Sequence, residues 1–179
     1  MEYVLVQHFI NIAKEPLLDR SQFINKFTRY IPKLVIREDN HNLNRLVSED
    51  EVREVINEMQ NGKSLGSDGF NVDFFKACEK IVKQDVLNAV EDSRRSRSVL
   101  KALNASFIAL ILKQEKAITP DGFRPIALCN VVYKIISKVI SNRLKTLLLA
   151  LVSEEQTGFM EGRQISQQHH TSSRGGTLY

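Results

Sequence analysis

The stretch from Phe107 to Leu151 constrains the fold more than any other part of the chain. It opens on an unbroken apolar run, Phe107-Ile108-Ala109-Leu110-Ile111-Leu112, closed by Lys113. A polar loop, Gln114 to Gly122, separates it from Phe123-Arg124-Pro125-Ile126-Ala127-Leu128-Cys129-Asn130, which leads into an amphipathic segment, Val131 to Leu151. A short apolar run bounded by turn residues is the pattern of a buried strand, and apolar positions three and four apart are that of a helix. The predicted order is therefore strand, loop, strand, helix. A lysine ends the first strand and an arginine starts the second, so hairpin pairing brings both cations to one mouth. In the helix, Val132, Ile135, Ile136, Val139, Ile140, Leu144, Leu147 and Leu148 form the predicted buried face, with Lys134, Lys138 and Lys145 together on the opposite side.

Helices dominate the rest of the reading. Leu5, Phe9 and Ile12 give Tyr3 to Ala13 a helical spacing that Lys14-Glu15-Pro16 breaks, and Ser21 to Tyr30 reads as a second short helix. Pro32 to Asn44 has no sustained period and is predicted extended or irregular. Ser48 with Glu51 three residues later is a capping box, followed by an apolar face of Val52, Val55, Ile56 and Met59 and a stop at Asn61-Gly62. This predicts a helix over about Glu49 to Gln60. Lys63 to Phe70 holds Gly66, Asp68 and Gly69 and is read as a tight structural turn, because no Gly-Lys-Ser/Thr ending makes it a nucleotide loop. Asn71 caps one predicted helix lined by Phe74, Cys78, Ile81, Val82, Val86, Ala89 and Val90. It ends in the basic run Ser93-Arg94-Arg95-Ser96-Arg97-Ser98, for which two readings stand: phosphate contact, or balance of the negative end of the helix dipole.

Composition bounds what such a chain does. A hydrophobic content of 42% over 179 residues is enough for a real core. The net charge is only +4, but Arg94 to Lys145 carries eleven cations against two acids, a local +9 that leaves −5 elsewhere. A basic middle between acidic flanks reads either as a polyanion-facing surface or as a solvated charged face. Cys78 and Cys129 lie far apart in apolar surroundings, as reduced core residues, and His169-His170 has no partner cysteines for a metal site. The apolar start, Met1 to Ile12, is interrupted by Gln7, His8 and Asn11 with no basic region before it. It is read as neither a signal peptide nor a membrane span, and an intracellular location, nuclear or cytoplasmic, is expected.

Several words, in this order, resemble the N-terminal part of the reverse transcriptase of LINE-type, non-LTR retrotransposons. They are Gly66-Ser67-Asp68-Gly69-Phe70 with Phe74-Phe75-Lys76; Ile108 to Lys113; Phe123-Arg124-Pro125-Ile126-Ala127-Leu128-Cys129-Asn130 with Tyr133-Lys134-Ile135-Ile136-Ser137-Lys138; Asn142-Arg143-Leu144; and Gln156-Thr157-Gly158-Phe159 with Gly162-Arg163. The resemblance covers Ser21 to Ile165. It implies the fingers part of a right-hand polymerase, an incomplete α+β fold, helix-rich with a small antiparallel hairpin. By the same resemblance Lys113 and Arg124 hold the triphosphate of the incoming nucleotide. Lys134, Lys138, Lys145, Gln156 and Arg163 are carried over as nucleic-acid contacts, and the implied partners are an RNA template, a DNA primer and a dNTP.

The domain organisation expected is an N-terminal extension, 1–47, a partial fingers domain, 48–165, and a disordered tail, 166–179. Polymerases of this class hold two metal ions on palm aspartates, in a first Asp motif and a Tyr-Ala-Asp-Asp word. This sequence has no Asp-Asp pair, and its last acid is Glu161. No catalytic residue and no bound cofactor are therefore expected; Mg²⁺ belongs to a complete family member only. The expected function is a reverse transcriptase fragment inactive by itself, the alternative being a non-catalytic RNA- or DNA-binding module built on residues 94–145. Apolar faces left without a palm predict exposed patches and poor solubility. Where the family typically carries proline, this chain has Leu46, Ser67, Leu112, Thr146 and Leu149; four of the five are the products of one C-to-T direction, which reads as a copy drifting without selection.

Overall fold

The computed structural model describes residues 2–14, 21–116, 119–153 and 156. Seven α-helices and one hairpin appear there: α1 Glu2–Ala13, α2 Ser21–Thr28, α3 Arg37–Leu43, α4 Glu49–Glu58, α5 Val72–Ala77, α6 Glu79–Ser96, β1 Ser106–Leu112, a 3₁₀ turn at Pro120–Gly122, β2 Phe123–Cys129, and α7 Val131–Leu151. The fold is α+β, helix-rich with one two-stranded antiparallel sheet. Two compact units divide it, residues 1–31 with 46–138 and residues 32–45 with 139–179. The predicted disordered tail, 166–179, lies outside the described residues.

In the first unit the core is aliphatic apart from Phe75. Val52, Val55 and Ile56 of α4, Val72 and Phe75 of α5, Val86 and Val90 of α6, and Val131, Ile135 and Ile136 of α7 are buried, Ile135 at 0% exposure. Each comes from a stripe at helical spacing, whose burial is the main stabilising term. The start of α4 is as the sequence reading has it: the Ser48 hydroxyl accepts the Glu51 N–H at 3.2 Å. Its end comes earlier, at Met59, while Gly62 (φ 68°) turns the chain three residues later. Arg53 joins α4 to α6 through Glu79 at 2.7 Å, a hydrogen bond that raises the guanidinium pKa.

The single helix predicted after Asn71 is two. Asn71 does cap the first, its side chain accepting the Phe74 N–H at 2.9 Å, but the backbone leaves helical geometry at Cys78 (ψ 17°). Of the predicted stripe Val86 and Val90 are buried, joined by Ser93, while Ile81 is 80% exposed. The predicted face of α7 is also corrected. Val131, Ile135, Ile136 and Val139 are buried, Val132 is half-buried, and Ile140 and Leu144 are exposed.

The hairpin pairs Ser106 with Cys129 through to Leu112 with Phe123. Alternation of bonded and non-bonded pairs puts Pro125, opposite Leu110, where its missing N–H faces the outer edge, so proline costs no ladder bond. Burial is where expectation fails. Phe107 is 60% exposed and Ile126 42%, and Ile108, Ile111 and Leu112 are similarly open, because a lone pair of strands has no layer on either side wide enough to cover it.

In the second unit the segment predicted irregular, Pro32 to Asn44, contains α3. Local polar bonds build it: the Asp39 carboxylate accepts the Ile36 N–H at 3.0 Å, and Asn40 and Asn44 donate to carbonyls four residues back. With no buried apolar face, the helix leaves no periodicity to read.

Candidate functional site

The closed end of the hairpin holds the cations singled out in the sequence. The register sets Ile111 opposite Arg124, and Lys113 lies two residues beyond Ile111, so all three share one face. The Lys113 N–H bonds the Gly122 carbonyl at 2.8 Å, continuing the ladder one step past β1. Diagonal neighbours of this kind sit about 7–8 Å apart, a spacing that one polyphosphate spans. The Lys113 ammonium folds onto the loop and donates to the Asp121 carbonyl at 2.7 Å, leaving two of its three protons for a ligand. Arg124 is exposed, and its guanidinium bonds nothing among the described residues. Helix α1 packs on the same loop, with His8 Nε2 at 3.5 Å from Asp121 Oδ1.

Of the other predicted contacts, Lys134, Lys138 and Lys145 lie along α7. Lys134 is half-buried, and Lys138 is already paired with Glu58 at 3.0 Å. Lys145 and Gln156 are exposed in the second unit, the Gln156 N–H bonding the Ser153 carbonyl at 3.2 Å. Arg163 lies outside the described residues. In the basic run, Arg94 and Arg95 pair one turn back with Glu91 and Asp92, Arg95 at 2.8 Å, and the Glu91 hydrogen bond raises the Arg94 pKa. Those two charges are largely spent at home, which favours the local reading over phosphate contact. Among the described residues no group of three or more His, Cys, Asp or Glu side chains is arranged to hold a metal ion.

Three residues carry more structure than the sequence reading assigned them. Asn130 is 2% exposed and gathers hydrogen bonds from two distant segments. The Lys76 ammonium caps the end of α4, donating to the Asn57 and Met59 carbonyls and to Asn61 Oδ1 at 3.2, 2.8 and 2.7 Å. Arg143 donates to the Leu43 and Arg45 carbonyls at 3.0 and 2.9 Å, closing the end of α3. Each stood inside a family word, and that was the available signal; spacing alone does not distinguish a capping cation from a ligand-binding one.

Residues 111–179 match the family described as reverse transcriptase (RNA-dependent DNA polymerase). Over that stretch, which includes the second half of the hairpin and the helix after it, the chain is similar to reverse transcriptases. Over 116 residues the chain is also 26% identical to the Transposon TX1 uncharacterized 149 kDa protein of Xenopus laevis, which makes it similar to a transposon protein. That alignment covers 65% of this chain, and the chain accounts for 9% of the relative's length. The family match takes in Lys113, Arg124, Asn130 and α7, and it continues to residue 179, beyond the resemblance, which ends at Ile165.

Proposed function

We propose that the hairpin is the polyphosphate-gripping edge of a LINE-type reverse transcriptase fingers region, with Arg124 and Lys113 holding the triphosphate of an incoming nucleotide. The register that sets both cations on one face, at the closed end of the hairpin, carries the reading. Arginine forks two phosphate oxygens while lysine acts as a point charge, so the pair matches adjacent phosphates. The chain holds the nucleotide without turning it over, since it has no Asp-Asp pair.

Titration calorimetry with inorganic tripolyphosphate tests the grip. Arg124→Ala is expected to weaken binding by about tenfold or more, the worth of one charge-assisted contact, and Lys113→Ala by less, since its ammonium already serves the loop. Equal affinity in both variants and wild type would sink the reading. Primer extension with Mg²⁺ should yield no product from the chain alone.

A second reading, a non-catalytic module on residues 94–145, has one observation in its favour: Arg97, Lys101, Arg124 and Lys134 pair with no acid among the described residues. Four phosphate contacts to single-stranded RNA lose roughly fiftyfold in affinity between 50 and 200 mM salt. A flat salt response removes the module.

A further inference from the structure

We propose that Asn130 is a positioning residue that sets the direction in which the hairpin carries Arg124 and Lys113. This rests on the phosphate-gripping reading of the hairpin.

Both halves of the Asn130 carboxamide are used. Oδ1 accepts from the Ser67 hydroxyl at 3.1 Å and from the Asp68 N–H at 3.2 Å. Nδ2 donates to the Ala102 carbonyl at 3.1 Å and the Leu103 carbonyl at 3.4 Å. Its backbone carbonyl takes the Lys134 N–H at 3.2 Å, in the first turn of α7. The Ser67 hydroxyl also lies 3.3 Å from the Ala105 carbonyl, at the entry to β1. A flipped amide would set donor against donor at Asp68 and acceptor against two carbonyls, so the network fixes the orientation.

Gly66 seals the joint. A β-carbon there would stand 2.4 Å from Asn130 Oδ1, 2.5 Å from its Cα and 2.7 Å from its N. Backbone lies against backbone, which is why this glycine is required for closeness rather than for φ.

These contacts hold the open end of the hairpin on both strands: Ala105 precedes β1, and Asn130 follows β2. Arg124 lies six residues up β2, roughly 20 Å away at the rise of an extended strand. A tilt of about 5° at the base then moves the tip by almost 2 Å at that reach, and misplacements of about 1 Å are costly for a bound group. The turn word and the hairpin word are therefore one device: the first aims the second.

Hydrogen exchange and tripolyphosphate titration on the full chain test this. Asn130→Asp keeps the one acceptor oxygen that faces Ser67 and Asp68 but turns a second carboxylate oxygen toward the Ala102 and Leu103 carbonyls; Ser67→Ala removes the donor on the other side. In each, amides of 107–112 and 123–129 are expected to exchange about tenfold faster while α4 keeps its protection, with tripolyphosphate bound about tenfold more weakly. Unchanged hairpin exchange overturns the proposal. So does faster exchange of α4 and hairpin together with unaltered affinity, which marks plain loss of stability. If wild type binds no tripolyphosphate, the phosphate reading falls and the exchange pattern alone decides whether Asn130 aims the hairpin. Should Asn130→Asp fail to fold, Ser67→Ala, which trims an exposed residue, carries the test.

Discussion

At the scale of single residues, what matters is which cations are free and which are occupied. Lys113, Lys76 and Arg143 all donate to backbone carbonyls, whereas the Arg124 guanidinium extends from β2 with nothing bound among the described residues. An ammonium on a carbonyl at the end of a helix answers both an orphan acceptor and the negative end of the dipole. Lys76→Met keeps the stem and removes the charge from the α4 terminus; a loss of about 1 kcal/mol in urea unfolding is expected. Ile135, fully buried, is the opposite case: Ile135→Ala should cost about 2–5 kcal/mol by the same measurement.

At the scale of elements, the break at Cys78 separates two accounts of α6. The uninterrupted stripe counted Ile81 as core, yet its side chain is exposed and Val86 is buried. Ile81→Ala is therefore expected to change stability by no more than about 0.5 kcal/mol, while Val86→Ala costs about 1–3 kcal/mol. Similar losses from both would restore the single helix. Element length has its own control in α7, which runs unbroken through Thr146 and Leu149. A proline inside a helix removes a hydrogen bond and costs about 3 kcal/mol. Thr146→Pro should accordingly lower helicity by circular dichroism, with the loss confined to the C-terminal part of α7.

For the molecule as a whole, uncovered apolar surface is the governing property. Phe107, Ile111 and Ile126 share the exposed hairpin face that ends in Arg124 and Lys113, and α1 adds Tyr3, Val4 and Ile12. Patches of this kind drive association. Sedimentation should show self-association that rises with concentration, and Phe107→Ser with Ile126→Thr should reduce it without altering the hairpin register; a monodisperse wild-type monomer at high concentration would contradict this. No helix among the described residues is long and apolar enough to cross a membrane.

Local rules were enough to read the hairpin, its two cations, the Ser48 and Asn71 caps and the helix after Asn130 from the amino acids alone, because strand alternation, turn chemistry and capping act over a few neighbouring residues. Tertiary structure decided the rest. That Cys78 divides a helix, that Val131 rather than Val132 faces the core, and that the hairpin stays open to solvent all depend on which surfaces meet. Asn130 shows the reason most clearly: the partners of its side chain stand 27 to 63 residues away along the chain, a separation at which no periodicity survives and only folding brings donor to acceptor.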